Sequence, residues 1–274
     1  KFNGEKFISS AIKKGASAVV CSNRFKSKNL KIPFIKVKDV KKTLSKACKN
    51  FFKKKPKNII AVTGTNGKSS VADFFYQILS LNNIPVASIG TLGIKKNKKT
   101  KKIDLTSPDI ISLHRELNLI KKEGINNVII EASSHGLAQS RLDCINFKAG
   151  IFTNFSQDHL DFHISMNNYF SSKMILFRKL LDKKKYLITD SDIKEFSLLK
   201  NIAKKRKIKI LTINKKIIIP QISLIGSFQK KNFDMAVLAA KLCGIQNKKI
   251  SSIVKKIKSV NGRLELVRSL KNDS

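Results

Sequence analysis

Apolar positions along the chain recur in two rhythms that alternate. Residues 5–14 carry Phe7, Ile8, Ala11 and Ile12 at helical spacing, and Gly15 follows as a C-cap. Ala18-Val19-Val20-Cys21 and residues 33–37 have the short apolar runs of strands, and Asp39 stands where it would cap a helix reaching to 52. The run Lys53-Lys54-Lys55-Pro56-Lys57 reads as a linker. A larger unit then begins with the strand Asn58-Ile59-Ile60-Ala61-Val62. Its spacing predicts helices over 71–81, 109–122, 167–181, 228–243 and 248–258, and strands over 85–89, 127–131, 149–153, 186–189 and 208–213. No internal repeat is apparent. The alternation predicts an α/β fold: a mostly parallel open sheet with helices on both faces, preceded by a small α/β piece over 1–52. Ligands of such sheets bind at the carboxyl ends of the strands. The glycines after Val62, the acid Glu131 and the 154–163 loop all fall on that edge.

Composition adds limits. Of 274 residues, 42% are hydrophobic, which is enough for a core and argues against a disordered chain. No apolar run reaches the roughly 18 residues of a membrane span. The cysteines Cys21, Cys48, Cys144 and Cys243 have no CxxC spacing, so neither a zinc site nor a disulfide framework is expected, and a reduced interior is the default. The net charge of +38 points toward nucleic acid, but 49 lysines against 7 arginines does not. Arginine is the residue that reads phosphates and bases with a two-pronged fork. The lysines are spread everywhere, as compositional drift would spread them, so no specific nucleic-acid partner is expected, only weak adhesion to polyanions at low salt.

Three segments carry chemistry. Thr63-Gly64-Thr65-Asn66-Gly67-Lys68-Ser69-Ser70 follows a strand and opens a helix. Its glycines let backbone N–H groups approach phosphate oxygens, Lys68 can reach the β/γ-phosphates, and the Ser69 hydroxyl can ligate Mg2+. The general phosphate-loop pattern has a glycine six residues before the lysine, where this chain has Val62. Glu131 ends a strand; it either completes a magnesium shell or is a strand-end acid facing water. The loop from Asn154 to His163 holds Asp158, His159, Asp161 and His163, and with His135 it contains three of the four histidines. Such clustering favours a polar site, with zinc as a competing reading that lacks a suitably spaced cysteine.

In this order, Thr63 to Ser70, Thr106-Ser107-Pro108, Glu131 to His135 and Asn154 to His163 resemble the Mur ligases, the ATP-dependent amino-acid ligases of bacterial cell-wall synthesis. The resemblance covers essentially the whole chain. The phosphate loop marks only the superfamily, which includes folylpolyglutamate and cyanophycin synthetases. Ser133-Ser134-His135-Gly136, with Gln139 and Arg141 after it, resembles the branch that adds a diamino acid, meso-diaminopimelate or L-lysine, to UDP-MurNAc-L-Ala-D-Glu through an acyl phosphate.

The resemblance implies a ligase with a P-loop-like central domain, using ATP and Mg2+; the cysteine usage makes a cytoplasmic chain the default, and a monomer is expected although the sequence leaves the oligomeric state open. It implies that Gly64, Thr65, Asn66, Gly67, Lys68, Ser69 and Ser70, with Asn232 near the adenine, hold ATP. Gln229 stands where the family usually has Asn. Ser69, Glu131, His159 and Lys173 would serve the metals, Lys173 as an N-carboxylated lysine. Lys68, Lys173 and His159 would be the catalytic residues. Thr106, Ser107, Ser133, Gln139 and Arg141 would contact the UDP-MurNAc-dipeptide. Gly262-Arg263-Leu264-Glu265 resembles the end of the central domain, which places that domain at 58–268 and makes 1–52 the tail of a UDP-binding domain. A chain starting at Lys1 and stopping soon after Arg263 is expected to be a fragment, lacking the amino-acid-binding domain and inactive alone.

Overall fold

The computed structural model describes residues 4–26, 32–158, 160–213 and 226–260. A 3-10 turn (Gly4–Phe7) runs into α1 (Ile8–Lys13), and β1 (Val19–Ser22) pairs in parallel with β2 (Phe34–Val37). Of the apolar stripe expected over 5–14, only Ile8 is buried. The tighter 3-10 turn rotates Phe7 off the helical face, and Phe7 and Ala11 are exposed. Helix α2 (Val40–Phe51) starts where Asp39 accepts a hydrogen bond from the Lys42 N–H, as the cap signal required.

The lysine-rich segment after α2 is not a free linker. Pro56 is buried, the Lys54 N–H donates to Asn118 Oδ1 at 3.1 Å, and Lys55 Nζ donates to the His114 carbonyl at 2.9 Å. Both acceptors lie on a helix of the larger unit, so the segment is strapped to it.

The larger unit runs β3 (Asn58–Thr63), α3 (Lys68–Leu81), β4 (Val86–Gly90), β5 (Gly93–Lys96), β6 (Lys99–Lys101), α4 (Ile110–Lys122), β7 (Asn127–Glu131), α5 (Ser134–Ala138) and β8 (Ala149–Phe152). It continues with α6 (Leu160–His163), α7 (Met166–Ile175), a π-helical turn (Leu176–Leu180), β9 (Tyr186–Asp190), α8 (Phe196–Arg206), β10 (Lys209–Ile213), α9 (Ser227–Leu242) and α10 (Asn247–Ile253). The eight strands lie in the order β10-β9-β8-β3-β7-β4-β5-β6; only β5 runs against the rest, pairing antiparallel with β4 and β6. Every residue of β3, β7 and β8 is buried, as continuous apolar runs demand when helices cover both faces. Alternate residues feed two cores. Ile59 and Ala61 meet Leu113 and Leu117 of α4 and Phe177, while Ile60 and Val62 meet Phe74 of α3 and Phe233 of α9.

Four features depart from the expected elements. The β5–β6 hairpin turns on Asn97 and Lys98, both at positive φ, with the Lys98 N–H held by the Tyr76 hydroxyl. Short α5 and α6 occupy expected loops. Helix α8 buries Leu199, Ile202 and Ala203 and ends at Lys207 in the left-handed conformation. The helix expected over 167–181 shifts from α to π hydrogen bonding at Leu176. His159, residues 214–225 and the Gly262-Arg263-Leu264-Glu265 segment lie outside the described residues. Among the described residues no helix is long and apolar enough to cross a membrane.

Candidate active site

Strands β7, β3 and β8 are neighbours, so their carboxyl ends bring three loops together. The register pairs Val62 with Glu131 and Thr63 with Phe152, which sets the acid and the 153–156 segment on either side of the phosphate loop. Val62 stands in β3, fully buried, and the loop turns only at Gly64.

Two glycines of this loop are obligatory. Gly64 has φ +147° and a Cβ there would lie 1.9 Å from Thr153 Oγ1. Gly67 has φ +85° and a Cβ would lie 2.5 Å from Asn232 Oδ1. The loop is laced to the end of β8. The Thr65 N–H donates to the Asn154 carbonyl at 2.9 Å, the Asn66 N–H to Asn154 Oδ1 at 2.9 Å, and Thr153 Oγ1 to the Asn66 carbonyl at 2.6 Å. Thr65 Oγ1 donates to the Ser156 carbonyl and accepts from the Tyr169 hydroxyl at 3.3 Å.

Lys68 starts α3 and folds back, Nζ donating to the carbonyls of Gly64 at 3.0 Å and Thr65 at 2.7 Å. Lys173 on α7 is 1% exposed; its Nζ donates to the same Gly64 carbonyl at 2.7 Å and lies 4.2 Å from the centre of the Tyr169 ring. Burial, and after it the charge of Lys68, lower the Lys173 pKa to about 7, against a smaller opposing pull from Asp158. A lysine so placed has an accessible neutral amine, which is the form that adds CO2. The two contacts it makes now, a carbonyl oxygen and a ring face, suit the ammonium.

Ser69 Oγ donates to Glu131 Oε2 at 2.9 Å, and Thr91 supplies its N–H to Oε1 at 2.9 Å and its hydroxyl to Oε2 at 3.1 Å. The Glu131 carboxyl is buried, and desolvation raises its pKa despite the bonds from Ser69 and Thr91 and the charge of Lys68. A carboxylate and a serine hydroxyl in contact, with the acid still short of compensating charge, fit a hard divalent cation. Thr91 is a site residue that the motifs did not single out; its signal was its place just past the carboxyl end of β4.

Beyond Glu131 the remaining expected residues converge. Ser107 Oγ donates to the Glu131 carbonyl at 2.8 Å, accepts from the Ser133 N–H at 3.0 Å, and lies 3.0 Å from Ser133 Oγ. Arg141 donates from Nη1 to the Ser107 carbonyl at 2.8 Å and from Nε and Nη2 to Gln139 Oε1 at 3.0 and 2.6 Å. Thr106 and Thr91 hydroxyls are 3.2 Å apart. Asn232 packs beside Gly67 and donates from Nδ2 to the buried Gln229 at 3.2 Å. Ser70 is buried in the first turn of α3. Among the described residues His135 and His163 join an aromatic cluster: His135 stacks 4.0 Å from Phe162, and His163 lies 5.2 Å from Tyr169 with Ser172 Oγ 3.3 Å from its Nδ1. His159, expected at the metal, falls outside the described residues.

Comparison with known proteins agrees with this arrangement. The family profile of the Mur ligase middle domain matches residues 62–219. A curated relative from Rickettsia bellii, named UDP-N-acetylmuramoyl-L-alanyl-D-glutamate--2,6-diaminopimelate ligase, is 38% identical over 97% of this chain and 61% of its own length. One of the same name from Bradyrhizobium diazoefficiens is 44% identical over 66% of the chain and 37% of its own length. A solved structure of a ligase bearing that name superposes with a TM-score of 0.82 at 25% identity, over 96% of this chain and 59% of that one. An apo folylpolyglutamate synthase from L. casei shares the fold at a TM-score of 0.64 and 12% identity. The chain spans about three-fifths of the length of relatives such as the Rickettsia protein. The 64–70 loop, the buried acid Glu131 and a serine–arginine cluster lie side by side on one sheet edge, and by the middle-domain match and the similarity to the Rickettsia protein the chain belongs to the Mur ligase family.

Proposed function

We propose that the chain is part of an ATP-dependent ligase that joins 2,6-diaminopimelate to UDP-MurNAc-L-Ala-D-Glu, forming an amide bond in peptidoglycan synthesis. The observation that supports this reading is the continuity of hydrogen bonds between Ser69–Glu131–Thr91 and Thr106–Ser107–Ser133–Arg141, as a site for phosphate beside an acceptor would need. The diamino acid is taken from the names of the relatives, which leaves lysine as the second reading.

In this reading residues 64–70 cradle ATP with Asn232 beside them, and Arg141, Gln139, Ser133, Ser107 and Thr106 hold the UDP-MurNAc-dipeptide. Residues 1–52 form the tail of a UDP-binding domain and 58–268 the central ATP-binding domain. A magnesium ion on Ser69 and Glu131 would neutralise phosphate charge. Lys68 orients the γ-phosphate, and an N-carboxylated Lys173, with His159, would serve a second metal by supplying negative charge in place of the ammonium. The dipeptide's terminal carboxylate attacks the γ-phosphorus and ADP leaves; the amine of the diamino acid then attacks the acyl carbon, and phosphate leaves. Catalysis here is positioning and charge neutralisation.

The test is binding of ATP with Mg2+ and of UDP-MurNAc-L-Ala-D-Glu to the chain, with a folate substrate as competitor. Saturable binding of both ligands, with the second lost in Arg141→Ala, supports the reading. Preference for folate, or neither ligand bound, overturns it.

A further inference from the structure

The edge of the sheet opposite the phosphate loop holds a cavity of about 700 Å3, of the size that takes a small-molecule ligand. Its wall contains Lys49 at the end of α2 and Lys53, Lys55 and Lys57 from the strapped segment. Ile59 at the start of β3 and Asn146 just before β8 place it at the amino ends of the strands. At about 3.3 Å per residue, β3 separates this cavity from Gly64 by roughly 16 Å, so the two cannot share one small ligand.

The chain's lysines are mostly dispersed, but these four face one concave space. Among the described residues no carboxylate lines it. Lys55 is partly buried, its Nζ on the His114 carbonyl at 2.9 Å, and desolvation lowers its pKa to about 8. His114, wholly buried on α4, is pushed down by burial and by Lys55 and Lys49. Buried Pro56 and the bond from the Lys54 N–H to Asn118 hold the backbone that carries Lys53, Lys55 and Lys57 in place.

We propose that this cavity binds a compact polyphosphate group, inorganic or carried on a small molecule, at a site separate from the phosphate loop. Ammonium groups act as point charges toward phosphate without selecting its orientation. Several lysines around one cavity match clustered phosphates better than a single carboxylate. The cavity lies where the 1–52 unit meets the central sheet, so its occupation would tie α2 to β3.

The test is calorimetric titration of the chain with tripolyphosphate, without divalent metal and at physiological salt. In a Lys68→Ala background, which removes the contribution of the phosphate loop, one saturable site is expected to remain. The triple variant Lys49→Ala/Lys53→Ala/Lys57→Ala, all at exposed positions, should weaken that site by about tenfold or more. A control removing the same charge elsewhere, Lys200→Ala/Lys204→Ala/Lys205→Ala on α8, should change it less than about twofold. Lys55→Met should also weaken it. Loss of saturable binding on Lys68→Ala alone, or equal weakening by the control triple, overturns the proposal. The first outcome would leave the phosphate-loop reading standing.

Discussion

Lys68 and Lys173 donate to one oxygen, the carbonyl of Gly64, at 3.0 and 2.7 Å. Burial first, and then repulsion between the two ammonium groups on one acceptor, lower the pKa of Lys173. The site in this state is therefore biased toward losing a proton or exchanging it for something anionic.

That bias bears on Lys173. In the complete enzyme Lys173→Ala should cut turnover severely, and added acetate should restore part of it by supplying the missing carboxylate. Lys173→Arg should stay inactive, because it keeps the positive charge. Normal turnover in the arginine variant, or an unmodified lysine by mass in the active metal-loaded enzyme, would refute N-carboxylation.

Lys68→Ala should lower turnover of the complete enzyme by about a thousandfold, since a charge on the transferring phosphate carries several kcal/mol of transition-state stabilisation. The melting temperature should move little, because the two carbonyls that Lys68 Nζ meets, Gly64 and Thr65, lie within its own loop. Both are checked by steady-state rates beside thermal denaturation.

Thr91→Val keeps the volume but deletes the hydroxyl that bonds Glu131 and meets Thr106. With Glu131 holding Mg2+ as proposed, Thr91 is an outer partner of that carboxylate, and the concentration of Mg2+ needed for half-maximal ATP binding should rise several-fold. An unchanged requirement would remove Thr91 from the site.

Asp234 is buried on α9, and desolvation raises its pKa to about 6, with Lys230 opposing. A carboxyl with a folded pKa above its unfolded value contributes stability below about pH 4 that is lost as pH rises through about 6. Asp234→Asn should abolish that loss, so the variant should be more stable than the parent at pH 7 by about 1–3 kcal/mol and equal to it near pH 3. Denaturant unfolding at both values tests the sign.

Much of this was legible in the sequence for a definite reason. The apolar runs of β3, β7 and β8 and the glycines of 63–70 are constrained by burial and by close backbone approach, so composition could not drift there. The elements that escaped notice lie where it did. The β5–β6 turn and the end of α8 put Lys98 and Lys207 in left-handed conformations that glycine or asparagine usually marks. Thr91 and the stacking of His135 on Phe162 depend on which loops the sheet order juxtaposes, and no local spacing encodes that.

The lacing of residues 65 and 66 to residues 153–156 has a consequence for portability. The loop is a composite of two distant stretches of chain, one carrying the glycines and Lys68 and the other bonding the Thr65 and Asn66 backbone that shapes it. Residues 63–70 moved alone onto a foreign strand and helix would bring the motif without its shape. A transplant that also carried the tail of β8 would bring both.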